Sequence, residues 1–111
     1  MNDRPPTTKD VVAWVTVDNI EMLREADLTG IDLSKQDFWG ADLHGLNLRR
    51  CCFIESNLFG ADMHDADVRD CDFHHANLDR VNFRGARYNK NTFIPDIYDP
   101  GRLGMVRDED P

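Results

Sequence analysis

Ala26-Asp27-Leu28-Thr29-Gly30, Ala41-Asp42-Leu43-His44-Gly45 and Ala76-Asn77-Leu78-Asp79-Arg80 are copies of one five-residue pattern, and residues 26–90 divide into 13 such blocks without insertion or deletion. The third position of each block is Leu28, Leu33, Phe38, Leu43, Leu48, Phe53, Leu58, Met63, Val68, Phe73, Leu78, Phe83 or Tyr88, apolar or aromatic throughout. The first position is uncharged and mostly small. The second is Asp or Asn in 11 of 13 blocks, Cys52 and Arg87 being the exceptions, and the last two are mixed and polar.

A period of five fits neither the 3.6 of a helix nor the 2 of a long strand, so each block must contain a turn. If part of a block runs extended and the rest makes a corner, four blocks close a square of 20 residues. The first and third positions then point inward, one small and one large, and fill the interior. The second, fourth and fifth point outward. Glycine agrees with the corner placement: Gly30, Gly40, Gly45, Gly60 and Gly85 all stand last in their blocks, where a type II turn requires a positive φ.

Residues 20 apart then stack at the strand spacing of about 4.8 Å. The first side holds blocks 26–30, 46–50, 66–70 and 86–90, and the second, third and fourth sides follow in order. On the first side the last-position column reads Gly30, Arg50, Asp70, Lys90, and on the second Lys35, Glu55, His75. Both place acids beside bases, worth a few tenths of a kcal/mol per surface pair. Cys51 and Cys71 stack inside the second side, where they act as small buried hydrophobes or, if geometry allows, a disulfide. Cys52 faces outward between Asp32 and Asp72.

With its A-(D/N)-(L/F)-x-x blocks over residues 26–90, the chain resembles the pentapeptide repeat family. That resemblance implies an all-β fold, a right-handed quadrilateral parallel β-helix of a little over three coils. It also implies a motif that codes for folding and contains no catalytic residue.

A solenoid must close its terminal cores, so residues 1–25 are expected as an N-terminal cap and 91–111 as a C-terminal cap and tail. Thr7-Thr8-Lys9-Asp10 resembles a capping box before Val11, Val12, Trp14 and Val15, while the β-branched content suits a strand equally. Glu21-Met22-Leu23 reads as a degenerate block ahead of the first coil. The segment after Asn91 carries Phe93, Ile94, Ile97, Tyr98, Leu103, Met105 and Val106 among prolines and glycines, which suggests an irregular loop folding back over the last coil. Arg107 to Pro111 is expected to fray.

The 111 residues carry 13 Lys and Arg against 21 Asp and Glu, a formal charge of −8. Such a field repels phosphate, so direct nucleic-acid binding is not expected. No apolar run approaches the roughly 20 residues of a membrane helix, Met1 to Pro6 lacks the pattern of a signal peptide, and the three cysteines form no CxxC pair. The expectation is a cytoplasmic protein with reduced thiols.

Serine is confined to Ser34 and Ser56, and the sequence has no GxSxG, Walker, GxGxxG, HExxH or EF-hand pattern, so neither an enzyme nor a cofactor is expected. His44 and His64 stack on the fourth side near Asp42, Asp62 and Asp65. These side chains suit a divalent metal, or else form an outward polar column that continues to Arg84. Trp39 and Phe59 stack on the third side beside Gly40 and Gly60, as a protein contact patch or as a surface that a terminal segment covers.

Two functions follow. The preferred one is a rigid protein–protein interaction or scaffold module with unidentified protein partners, free to form a homodimer through an end cap. The alternative comes from the resemblance: some family members mimic duplex DNA, bind DNA gyrase or topoisomerase IV and modulate its inhibition. A body of this length rises about 16 Å, near five base pairs. Its share of the charge is −3, with −2 in residues 1–25 and −3 in residues 91–111. Most of the acidic excess therefore lies in the flanks.

Overall fold

The computed structural model describes residues 4–110. A parallel ladder organises them. Asp32 bridges Cys52, Asp37 bridges Asn57, Asp42 bridges Asp62, Asn47 bridges Asp67, and the same step of 20 recurs to Asp67 and Arg87. Within each step two hydrogen bonds form, as in Leu33 N–H to the Cys52 carbonyl at 2.7 Å and Cys52 N–H to the Ile31 carbonyl at 3.0 Å. Each extended piece is too short to be a strand in its own right.

The corners explain the rest of the block. The carbonyl of Leu28 accepts from the Ile31 N–H at 3.2 Å, and the bond repeats at Phe38 and Ala41, Leu48 and Cys51, and onward. In twelve consecutive blocks, from Gly30 to Gly85, the last residue has a φ between +58° and +78°. Seven of these are not glycine: Lys35, Arg50, Glu55, Asp65, Asp70, His75 and Arg80. The turn demands this φ at every corner, and the five glycines mark only the corners where it is met without steric cost.

The Asp or Asn position has a role beyond pointing outward. Its side-chain oxygen accepts the backbone N–H two residues on, at 3.0–3.2 Å from Asp32 to Ser34, Asp37 to Trp39, Asn47 to Arg49, Asn77 to Asp79 and Asn82 to Arg84. That N–H lies in the turn and has no ladder partner, so the short polar side chain satisfies a donor that would otherwise depend on water.

Every third-position side chain is buried except the half-buried Tyr88. Phe53 and Phe73 stack with ring centroids 5.1 Å apart and planes within 7°, and Phe38 and Phe83 meet this pair edge-on. First positions are buried from Ala41 onward but half-buried at Ala26, Ile31 and Gln36, next to the N-terminal end. Cys51 and Cys71 are free thiols, each donating to a carbonyl, Leu28 at 3.0 Å and Leu48 at 2.8 Å. Burial pushes the Cys51 thiol up to about 12 and Cys71 well above its ordinary value.

The ends depart from an all-β reading. Helix α1, Thr8–Thr16, starts at a complete capping box in which Thr7 and Asp10 exchange bonds, and it buries Val11 and Val15, four residues apart on one face. Capping and that spacing override the β-branched content. Helix α2, Ile20–Glu25, is capped by Asn19 and buries Leu23, so residues 21–23 are helical and do not form a block of the coil.

The C-terminal segment does not fold back across the last coil; it continues the ladder with slipped register. Phe93 bridges Asp72, a step of 21. Strand β1, Arg87–Tyr88, pairs in parallel with β2, Val106–Arg107, a step of 19. On the third side between them, the Tyr98 hydroxyl takes the place of backbone, accepting from the Leu78 N–H at 3.1 Å and donating to Asp79 at 2.8 Å.

Residues 107–110 are tied down: Asp108 N–H donates to the Tyr88 carbonyl, Glu109 accepts from the Lys90 N–H, and the Asp110 carbonyl accepts from Arg69. Pro111, the last residue of the expected fray, lies outside the described residues, as do Met1 to Asp3. The expected charge columns are also altered. Asp70 pairs with Arg49 at 3.1 Å and with Asn89 and Asn91, leaving Arg50 aside, and among the described residues no ion pair joins Lys35 to Glu55.

Candidate functional site

The third side presents the body's most exposed large apolar side chain. Trp39 is 68 % exposed, so no described terminal segment covers it. Its backbone N–H is fixed by Asp37. The neighbouring corners Gly40 and Gly60 are open, since a β-carbon at either would meet nothing within 4 Å. Phe59, next in the column, is half-buried, and the Arg80 guanidinium lies 6.0 Å from its ring centre. Among the described residues Trp39 and Phe59 do not form a stacked ring pair. The side is thus a wide apolar ring above a half-sheltered one with a cation over it.

The fourth side carries the histidine column. The rings of His44 and His64 lie parallel, 4.8 Å between centroids and 5° between planes. Each Nδ1 meets the aspartate two residues earlier, Asp42 at 2.5 Å and Asp62 at 2.6 Å, and the same aspartates accept the histidine backbone N–H groups. The Arg24 guanidinium of α2 contacts His44 Nε2.

A guanidinium can only donate, so His44 carries its proton on Nδ1 and presents the Nε2 lone pair. Burial opposes the Asp42 charge, but the hydrogen bonds donated by His44 and the charge of Arg24 hold its carboxyl below the usual range. His64 is raised, chiefly by its bond to Asp62 and then by Asp65 and Asp42 against desolvation. Arg24 lies in α2, outside the repeats, and their five-residue pattern carries no signal for it. It stands 20 residues before His44, so the step of the ladder extended upstream of residue 26 is the signal that marks it.

Two clusters had no sequence signal. His74, bonded to Asp72 in the same manner, stacks on Phe93 at 3.4 Å, forming a shallow groove with Pro95 and the 82 % exposed Ile97. On the first side, Arg69 forms a two-pronged pair with Asp67 at 2.9 and 2.7 Å. Both are buried, and Arg87 and Asp108 complete the network. Burial raises the Asp67 carboxyl, yet bonds from Arg69 and the charges of Arg69 and Arg87 outweigh it and hold the group low. This network lies under the tail and serves to hold it.

Comparison with known proteins matches the geometry. The family model for pentapeptide repeats fits eight copies over residues 23–53 and 56–87. Among solved structures, the chain is similar to the pentapeptide repeat protein Rfr23 from the cyanobacterium Cyanothece 51142, with 31 % identity and a TM-score of 0.57, covering 58 % of this chain and 44 % of that one. This chain therefore spans less than half of Rfr23. It is also similar to alr5209, a pentapeptide repeat protein from Nostoc Pcc 7120, at 21 % identity and a TM-score of 0.54, covering 96 % of this chain and all of that one. Among curated proteins none matches. The fold that these neighbours imply is the right-handed quadrilateral β-helix.

Proposed function

The chain belongs to the pentapeptide repeat family, and from that premise we propose that it is a non-enzymatic interaction or scaffold module: a little over three coils between two caps, offering the third side to a protein partner. One observation carries this reading. Trp39 is 68 % exposed on a ladder whose backbone is hydrogen-bonded on either side of it, at Phe38 and Gly40. A tryptophan held rigid and open in this way loses little entropy on binding and brings a large apolar area to the contact. The DNA-mimic alternative draws no support from the fold or its neighbours.

The test is affinity capture with the full chain and Trp39→Ala, whose unfolding free energy should stay within about 0.5 kcal/mol of wild type because the ring is on the surface. A protein retained by wild type and lost from Trp39→Ala supports the assignment. Equal retention by both overturns it.

A further inference from the structure

We propose that His44 and His64 form a chelating site for a divalent transition-metal ion of the zinc class, held by the two Nε2 atoms, and that the ion competes with Arg24 for it. Three observations carry the site. Each imidazole is oriented by a carboxylate on Nδ1, the arrangement in which the opposite nitrogen is the more basic and is directed at a metal. The rings are parallel and one ladder step apart, so their Nε2 atoms lie side by side on the accessible face. Zinc bonds of about 2.0–2.1 Å put two nitrogens of a tetrahedral site about 3.4 Å apart, so the parallel rings, whose lone pairs point the same way, must tilt toward one another about their Nδ1 anchors for both to meet one ion.

The third observation is Arg24. A cationic guanidinium already rests on His44 Nε2, in a field set by Asp42 and Asp62 within the column and Asp65 at its edge. The position is therefore one that accepts positive charge. Asp42, His44 and Asp62 bring ligand atoms within 4.8 Å of one another, so the carboxylates that orient the rings also gather negative charge beside the site. Binding removes Arg24 from the imidazole and so loosens the last turn of α2. In this way an ion on the fourth side reaches the N-terminal end.

The experiment is calorimetric titration of the full chain with zinc chloride alone near pH 7.5. One ion should bind per chain. His64→Gln should weaken binding at least about tenfold by removing half the chelate, and Asp62→Asn by about 10–100-fold through the lost carboxylate. Arg24→Ala should tighten it several-fold. All four side chains point outward, so circular dichroism should report folded variants. Imidazole-nitrogen NMR should show zinc moving the Nε2 resonances of His44 and His64. The proposal is overturned if neither wild type nor Arg24→Ala takes up zinc, if the His44→Gln/His64→Gln double variant binds as wild type does, or if Arg24→Ala binds no tighter.

Discussion

The two ends of the coil are closed by opposite means. At the N-terminal end α1 and α2 satisfy their own backbone and meet the coils through Val11, Val15 and Leu23. Their polar ties are Thr8 Oγ1 to the Asp32 carbonyl and Arg24 to His44. At the C-terminal end the chain keeps lending backbone to the ladder, at Phe93, Gly104, Val106 and Asp108, and a buried ion network locks it. A helix can lift away and keep its hydrogen bonds, whereas a ladder segment cannot leave without orphaning groups on both sides. The N-terminal end is therefore the removable one.

The sharpest way to break this contrast is Asp67→Ala. It strips Arg69 of its two-pronged partner in a buried setting and should cost about 3–5 kcal/mol in urea unfolding, with faster amide exchange over residues 106–110. Loss confined to residues 8–25 would refute the contrast. Acid probes the same network. Asp67 is held below its ordinary value, so its stabilisation is complete above the unfolded carboxylate range of about pH 4–5 and disappears as pH falls through the depressed folded value. Melting followed downward from pH 6 should drop more steeply for wild type than for Asp67→Ala.

A smaller effect belongs to the other end. Val11→Ala should cost about 2 kcal/mol of buried contact and expose α1 to proteolysis while the ladder amides stay protected. Thr7→Ala, which removes the helix cap, should do the same at about 1 kcal/mol. If either variant accelerated exchange at Phe53 or Phe73, the helices would be integral to the coil and not a removable cover.

The smallest change concerns the body alone. Cys52 stands where all the other blocks except that of Arg87 have Asp or Asn, and the Ile54 N–H has no acceptor among the described hydrogen bonds. Cys52→Asn should supply one and raise stability by about 0.5–1 kcal/mol, leaving both ends untouched.

How much of this could be read from the chain depends on whether a residue repeats. Leu28 through Tyr88 are inward because a period of five admits one large buried position per side. The 20-residue step follows from the same arithmetic. The caps lie outside it: β-branched Val11, Val12 and Val15 suit helix and strand equally in sequence, and the completed Thr7–Asp10 box with Val11 and Val15 on one buried face favours the helix. Tyr98 acts by replacing a backbone bond, and no periodicity marks such a residue. In the candidate sites, His44 over His64 followed from register. The exposure of Trp39 depended on where the flanks run, and the Arg69–Asp67 pair on a tail outside the repeat.

The step of 20 also sets how this chain must fold. The ladder bridges of the repeats join residues one circuit apart, a relative separation of about 0.18 for 111 residues, in the range of β proteins that fold in milliseconds to seconds. No single circuit buries its interior, so the first two to meet bear the nucleation cost, and each later one closes a loop of the same length against a finished template. Folding should spread outward from an early pair of circuits like a spring winding onto itself. The slipped register at the C-terminus marks where the winding stops.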